Sequence, residues 1–248
     1  MSVLDDEEKL YGTMVRLKVR EKYHNLVLKM RKYMIWAEHN YNFKYILKVD
    51  DDVYHNPQRL SWAVREWESE QADYIGCFLW GIKVSKPVTS KWFEPNAQLL
   101  GPNYFTYPAG PTYALSFKAV QRINFIPDGW LRFFGCGDDC SIGSWLLALN
   151  VTHKDDSRLC SKACDPSAIT VRHGPGLSNP NVQLPLMHKD DNCRGEQQPP
   201  GQPPDVRGAV SFDFSNTNCY QLLEPWDTSF DLCLSNHYTR NMNNTRTS

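Results

Sequence analysis

Three consecutive aspartates, Asp50, Asp51 and Asp52, follow the apolar segment FKYILKV. Crowded carboxylates raise one another's pKa and destabilise a fold unless a cation compensates their charge. Mg²⁺ or Mn²⁺ is the simplest such cation, because one or two carboxylates hold it and leave open positions that substrate phosphates fill. Val49 and Val53, on either side of the three aspartates, are expected to face apolar surroundings. Side chains of an extended chain alternate between two sides, so the two valines set the side to which each aspartate points. Asp50 and Asp52 then point to one side, so we expect them to form the functional pair.

The position of the three aspartates supports this interpretation. They follow a short run of aromatic and branched residues at 43–49, which is typical of a buried strand. In an open α/β sheet, ligands bind outside the carboxyl ends of the strands. The alternative is a solvated acidic turn that ends at Asn56-Pro57, since short acidic clusters are common on protein surfaces.

A second acidic pair, Asp138 and Asp139, lies in the segment GCGDDCSIGSWLLALN. The apolar spacing of Ile142, Trp145 and Leu146 predicts a helix that starts near Asp139. A carboxylate at a helix N-terminus is stabilised by free amides and by the helix dipole, which lower its pKa and keep it ionised. Asp139 is therefore either a helix cap or a catalytic base, and one residue can serve as both.

The elements that position these residues alternate along the chain. Apolar residues at helical spacing predict a helix over 21–39, and the strand at 43–49 follows it. A second helical pattern follows Pro57, and residues 72–78 again have the composition of a strand. This alternation predicts an α/β sheet.

The later part of the chain is less regular. Residues 104–116 are expected to be a loop entering a short strand, after which Ser116 caps a helix that begins FKAVQRI. The Pro/Gly/Gln-rich segment from about 196 cannot pack a core, and the chain then ends in Asn/Thr-rich sequence. We therefore expect a domain over 1–195 and an appendage over 196–248.

Composition excludes several classes of protein. The 248 residues are 41% hydrophobic and carry a formal net charge of -1, so no basic excess indicates nucleic acid or an anionic membrane as a partner. The longest apolar stretches are well short of the roughly 20 residues that span a bilayer, and the polar N-terminus does not resemble a signal peptide. No membrane anchor is visible in this chain.

The eight cysteines indicate an oxidising compartment. Five of them lie after residue 150, in loop-rich sequence that disulfides would brace. Zinc is the alternative, but no CxxC pair is present and the two CxxxC pairs lack a matching HxxxH. Glycosylation sequons at Asn150 and Asn243 also favour a secretory lumen. The connectivity of the disulfides stays open.

Taken in order, a series of motifs resembles glycosyltransferase family 31, the β-1,3-galactosyltransferase and N-acetylglucosaminyltransferase group with a GT-A fold. The resemblance is closest to the plant and algal type that elongates galactan on arabinogalactan proteins, and it covers residues 8 to 196. The motifs are EKLYGTMV, KYHNLVLKM, YILKVDDDVYHNP, DYIGCF, SKWFEP, YFTYPAGPTYALS, GDDCSIGSWLLALNVTHKDDSRLC and MHKDDNCRGE.

The resemblance assigns roles to the acidic residues. The family's DxD motif falls on Asp50 to Asp52, with Asp52 the direct Mn²⁺ ligand through the donor diphosphate, and the family's late histidine ligand falls on His188. Asp139 takes the position of the catalytic base, and Asp138 beside it is expected to contact substrate. The implied cofactor is Mn²⁺, with Mg²⁺ as the alternative.

The reaction implied is a single displacement with inversion. UDP-galactose, or a related UDP-sugar, presents its anomeric carbon to a hydroxyl of a glycan or glycoprotein acceptor, with a β-1,3 linkage expected. Lys48 faces phosphate or flanks the strand, and Gly110 lets the backbone approach the donor or is a plain turn glycine. Trp92 and Glu94, with the phenylalanine between them, are expected to form part of the acceptor platform, although a tryptophan is also a common core residue.

Members of this family are type II proteins of the Golgi membrane with an anchor, a stem and early βα units that bind uridine. The resemblance begins inside that nucleotide-binding half, so we expect the anchor and the first βα units to be absent from this chain. Two functions follow: an Mn²⁺-dependent galactosyltransferase, or a truncated, non-catalytic relative that binds glycan or a partner transferase.

Overall fold

A computed structural model of the chain describes residues 3–12, 14–172 and 179–195. Eight α-helices and six β-strands are present in these ranges. The helices are α1 Val3–Tyr11, α2 Leu26–Asn40, α3 Pro57–Ser69, α4 Ala97–Leu100, α5 Phe117–Asn124, α6 Asp138–Ala148, α7 Pro180–Lys189 and α8 Asp191–Arg194. The strands are β1 Tyr45–Val49, β2 Tyr54–His55, β3 Tyr74–Leu79, β4 Tyr107–Ser116, β5 His153–Asp155 and β6 Thr170–Val171.

Four strands form a mixed sheet in the order β1-β4-β3-β5. β4 runs antiparallel to both β1 and β3, whereas β5 runs parallel to β3. The last residue of β1, Val49, pairs with Thr112, and the last residue of β3, Leu79, pairs with Tyr107. The carboxyl ends of β1 and β3 therefore meet at one edge of the sheet, beside the first half of β4. A separate two-stranded ladder joins β2 to β6.

Helices cover both faces of this sheet. Tyr74 and Leu115 lie in a core cluster with α2, α5 and α6, whereas their strand neighbours Ile75 and Ala114 pack on the other face against α3. This alternation of neighbouring strand residues between two faces is the period of two expected for a buried sheet. The result is a three-layer α/β/α arrangement, which confirms the predicted α/β class.

Short-range signals in the sequence set the helix starts. The side chain of Asn56 accepts a hydrogen bond from the amide of Arg59, and Pro57 occupies the first position of α3. Ser116 caps α5 in the same way by accepting from the amide of Ala119. Both starts agree with the sequence prediction.

Two local predictions differ from the structure. β4 is ten residues long, not a short strand after a loop. Pro108 and Pro111 made this strand hard to predict from the sequence, because each proline lacks an amide donor. The register between β3 and β4 also shifts between Gly76 and Phe78, and Phe78 pairs with Pro108. Asp50 to Val53 do not continue the strand, because the amide of Val53 bonds to the carbonyl of Asp50 and closes a turn.

Three disulfides join six of the eight cysteines, and the two that include Cys160, Cys164 and Cys193 confirm the predicted bracing of the region after residue 150 for these three cysteines. The pairs are Cys77–Cys160, Cys136–Cys140 and Cys164–Cys193. Cys219, Cys233 and the predicted appendage over 196–248 lie outside the described residues. Within the described ranges, no helix is both long enough and apolar enough to cross a bilayer.

Candidate active site

A cleft of about 590 Å³ opens at the edge where β1 and β3 end. Its walls come from segments that are distant in sequence but adjacent at this edge of the sheet. These segments are 23–26, 48–53, 79–92, 104–111 and 136–139, together with Arg172. The cleft contains six of the ten site residues predicted from the sequence, namely Lys48, Asp50, Asp52, Trp92, Gly110 and Asp139.

Lys48 organises the end of β1. Its ammonium nitrogen donates to Oδ1 of Asp50 at 2.5 Å and to the carbonyl oxygen of Gly110 at 2.5 Å. Burial raises the pKa of Asp50, and the hydrogen bond and charge of Lys48 oppose that rise. Asp52 reaches the same cleft from the turn, while Asp51 is exposed and does not line it. The expected pairing of Asp50 with Asp52 on one side is therefore present, although a turn produces it and not a strand.

The Asp50 and Asp52 pair fits a divalent cation. Both carboxylates are only partly exposed and open into the cleft, and Lys48 occupies one oxygen of Asp50. Hard cations such as Mg²⁺ and Mn²⁺ accept one or two protein carboxylates and complete their coordination with phosphate oxygens. Among the described residues, no group of three His, Cys, Asp or Glu side chains is arranged to hold a metal by itself. A site at these aspartates would thus depend on ligands from a bound substrate.

Asp139 lies in the first turn of α6, and two glycines enclose its carboxylate. A Cβ added to Gly110 would lie 2.8 Å from Oδ2, and one added to Gly137 would lie 2.7 Å from Oδ1. Gly137 also has a φ of +129°, a conformation that L side chains rarely adopt. Both positions therefore require glycine if the carboxylate is to stay where it is.

The environment of Asp139 raises its pKa to about 7. Loss of contact with water is the largest cause, and the negative charge of Asp138 adds to it. The amide of Cys140 and the charge of Lys48 act in the opposite direction. The amide of Cys140 at the helix N-terminus lowers this pKa, as expected from the sequence, but desolvation outweighs it and the net pKa is raised.

Asp138 lies below the cleft, not in its lining. It is buried, and its Oδ2 accepts a 2.7 Å hydrogen bond from the hydroxyl of Tyr113, which is also fully buried. The structure thus places Asp138 where it acts on Asp139 through its charge. Direct contact between Asp138 and substrate stays a prediction.

Glu94 is likewise buried and does not line the cleft. Its carboxylate accepts hydrogen bonds from the amides of Asn96 at 2.9 Å and Gly135 at 2.7 Å. It therefore joins the loop that carries Trp92 to the loop that leads into α6. Trp92 itself is 50% exposed and faces the cleft.

His188 is exposed on α7 and is not part of the cleft lining. Its Nδ1 lies 3.2 Å from the hydroxyl of Tyr54, which is two residues after Asp52 in the chain. The histidine is thus linked through one side chain to the segment that follows the aspartates. Its proposed role as a metal ligand stays a prediction.

Several residues that line the cleft were not predicted from the sequence. Tyr23 donates a 3.2 Å hydrogen bond to the carbonyl of Cys136, and burial together with the charge of Asp139 raises its pKa to about 12. Arg172 follows β6, and Lys83 and Lys91 lie in the loops after β3. Tyr23 and Lys91 lie within the motifs KYHNLVLKM and SKWFEP, but only the tertiary fold shows that these positions reach the aspartates.

Comparison with known proteins gives consistent matches. The family model described as Galactosyltransferase matches residues 1–157. "Probable beta-1,3-galactosyltransferase 12" of Arabidopsis thaliana is 35% identical over 208 residues, which cover 83% of this chain and 55% of the relative. "Probable beta-1,3-galactosyltransferase 13" of the same plant is 34% identical over 196 residues, covering 78% of this chain and 57% of the relative. A third Arabidopsis protein, "Hydroxyproline O-galactosyltransferase HPGT3", is 32% identical over 142 residues, or 56% of this chain and 40% of that protein.

The mixed sheet, its two helical layers and the cleft at the strand ends are the architecture of a GT-A-type glycosyltransferase. The chain belongs to the galactosyltransferase family that its sequence motifs resemble. It spans a little over half the length of the first two relatives.

Proposed function

We propose that this chain carries the transfer site of an inverting hexosyltransferase, which moves galactose from UDP-galactose to a hydroxyl of a glycan or glycoprotein acceptor. The proposed linkage is β-1,3, which is the linkage in the names of the first two relatives above. The observation that carries the proposal is the position of Asp139, a carboxylate with a raised pKa, in the same cleft as Asp50 and Asp52.

Asp139 has the properties of a general base. A base is most effective when its pKa lies near the working pH, since it is then ionised and still basic enough to take a proton. With a pKa of about 7, Asp139 meets this condition in a compartment near neutrality. In the proposed step a carboxylate oxygen of Asp139 accepts the proton of the acceptor hydroxyl. The hydroxyl oxygen bonds to the anomeric carbon as the bond from that carbon to UDP breaks.

The end of β1 forms the proposed donor wall. Asp50 and Asp52 would hold Mn²⁺ or Mg²⁺, and a metal bound there neutralises negative charge on the departing UDP. Lys48 keeps Asp50 and the backbone at Gly110 in fixed relation through its two 2.5 Å hydrogen bonds. Arg172, directly after β6, also lines the cleft and can contact phosphate oxygens.

The segments after β3 form the proposed acceptor wall. Trp92, Tyr104 and Tyr107 present aromatic side chains to the cleft. Aromatic faces bind the apolar faces of sugar rings, so this wall suits a carbohydrate.

A secretory lumen, with the Golgi as the proposed location, suits the covalent features of the chain. The three disulfides require an oxidising environment to persist. Asn150 of the sequon Asn-Val-Thr is exposed, as a glycosylated asparagine must be. The membrane anchor in this proposal is taken from the resemblance to family 31.

The experiment measures galactose transfer from UDP-galactose in the presence of Mn²⁺ and after its removal with EDTA. We expect metal-stimulated turnover that falls at least a hundredfold in Asp139→Asn and Asp52→Asn. Asp6→Asn, which removes an exposed carboxylate on α1, is the matched control. Absence of metal-stimulated turnover in a correctly folded sample, together with retained binding of glycan, would instead support the non-catalytic relative.

A further inference from the structure

The acceptor wall carries two lysines that the reaction itself does not use. Lys83 and Lys91 both line the cleft, and neither forms an ion pair with any residue in the described ranges. The described acidic residues of the cleft lining are Asp50, Asp52 and Asp139, and none of them belongs to residues 79–92 or 104–111, which form this wall. The cleft side of this wall therefore carries two lysines and no carboxylate, because Glu94 of the same loop is buried and does not line the cleft.

Both lysines are held by ordered structure. The ammonium nitrogen of Lys91 lies 4.5 Å from the centre of the Trp92 ring and 5.4 Å from that of Tyr23. These cation–π contacts fix its direction while leaving its N–H donors available. Lys83 is paired with Asn103 in an isolated bridge, and flanking backbone hydrogen bonds of 3.0 Å and 2.8 Å support that bridge on either side.

A further hydrogen bond unites the two lysine segments. The amide of Glu94 donates to the carbonyl of Ser85 at 2.8 Å, which joins the loop of Lys91 to the loop of Lys83. Burial of the Glu94 carboxylate beneath these loops then anchors both of them to the segment before α6. The two ammonium groups are thus presented by one supported wall.

The donor diphosphate does not account for these lysines. β1 and β3 are separated by β4, and their last residues pair with Thr112 and Tyr107, so the two strand ends are at least about 10 Å apart at normal strand spacing. The proposed donor wall at the end of β1 already has Lys48 and Arg172 as cations. Lys83 and Lys91 follow β3 and accompany the aromatic rings that suit a sugar.

We propose that Lys83 and Lys91 form a subsite for a carboxylate-bearing sugar, such as a uronic acid, next to the acceptor residue that receives galactose. This inference rests on the proposed function, because it names the class of acceptor for the same cleft. A cationic wall in a concave site concentrates anionic ligands and orients them. Aromatic and cationic groups side by side bind the apolar face and the charged edge of such a sugar together.

The test compares two disaccharides that differ in one group. β-Glucuronosyl-galactose carries a carboxylate where β-glucosyl-galactose carries a hydroxymethyl group. With the full chain, UDP-galactose and Mn²⁺, we expect kcat/KM to be about tenfold higher for the charged acceptor, as two partly exposed ion pairs would give. In Lys83→Gln/Lys91→Gln the ratio of the two kcat/KM values should fall to about 1. In the unmodified chain the ratio should decrease as the salt concentration is raised.

Lys86→Gln is the matched control, because Lys86 lies in the same loop and is exposed but does not line the cleft. It should keep the preference of the unmodified chain. Equal transfer to the two disaccharides would overturn the subsite and leave the proposed function standing. A rise in KM for UDP-galactose in the double variant, with an unchanged acceptor preference, would assign the lysines to the donor and also overturn it.

Titration calorimetry of the same disaccharides separates the two proposals when turnover is absent. Tighter binding of the charged disaccharide, lost in Lys83→Gln/Lys91→Gln and kept in Lys86→Gln, would support the subsite even if no galactose is transferred. Equal binding of the two would refute it. Lysine-dependent binding of an acidic peptide but not of the charged disaccharide would show that the partner is a peptide and contradict the assignment to a sugar.

Discussion

Replacement of Asp139 by asparagine should stabilise the folded chain at alkaline pH. The structure gives Asp139 a pKa of about 7, whereas an aspartate in an unfolded chain has the ordinary value of 3.8. The folded state therefore binds this proton more tightly than the unfolded state does. As pH rises from about 4 to about 7, the unfolded chain gains relative stability because its carboxylate ionises without penalty. Asparagine has nearly the same shape and never ionises, so the variant does not lose stability in this window.

The difference between the two pKa values sets the magnitude. Each pKa unit corresponds to about 1.4 kcal/mol, so ionised Asp139 destabilises the fold by about 4 kcal/mol above pH 8. Near pH 4 the same carboxylate is protonated in the folded chain and largely protonated in the unfolded one, and the difference falls below about 1 kcal/mol. For a chain of this size we expect Asp139→Asn to raise the melting temperature by about 10 °C at pH 8.5 and by only a few degrees at pH 4.5.

Urea unfolding with the disulfides intact measures this effect. The buffers contain EDTA and no nucleotide, so that no bound cation changes the charge near Asp139. Asp6→Asn, on the exposed surface of α1, controls for a general effect of removing one negative charge. If Asp139→Asn is as stable as the unmodified chain at pH 8.5, or less stable, then desolvation does not control this carboxylate and its assignment as a base loses its support.

Three further outcomes follow from the same site. Gly110→Ala should lower kcat by at least tenfold in a transfer assay, because the new Cβ would lie 2.8 Å from Oδ2 of Asp139 and displace the base; an unchanged kcat would contradict the close approach. Asp138→Asn should move the acid limb of the pH–rate profile to lower pH, since it removes a charge that raises the pKa of Asp139; a limb that stays in place would mean that another group sets it. Replacing Cys136 and Cys140 together by serine should reduce kcat several-fold with the fold intact by circular dichroism, because this disulfide closes the turn that holds Asp139; full activity would assign it no positioning role.

Features set by neighbouring residues could be predicted from the sequence. The starts of α3 and α5 depend on Asn56 and Ser116, whose side chains bond to amides three residues later. The mixed α/β class follows from the alternation of helical and strand periods, which is also a local property. Asp50, Asp52 and Asp139 stand out because two carboxylate clusters follow apolar or glycine-rich segments.

Features that depend on distant contacts could not be predicted in the same way. The raised pKa of Asp139 results from burial and from Asp138 together, and no spacing rule reports how much water reaches a side chain. Glu94 was expected to contact the acceptor, but in the fold its carboxylate bonds to the amide of Gly135, 41 residues away. Tyr23 reaches the cleft only because the segment before α2 packs against the carbonyl of Cys136.

The central place of β4 in the sheet has a consequence for the order of assembly. β1 and β3 share no backbone hydrogen bonds, because each pairs with β4 and not with the other. During synthesis β1 and β3 lack their hydrogen-bonding partner until residues 107–116 have been made. The pairing of Tyr45 with Ser116 then closes a long loop. Open strand edges invite association with other chains, so the interval before β4 inserts is the period in which a nascent chain most needs chaperone protection.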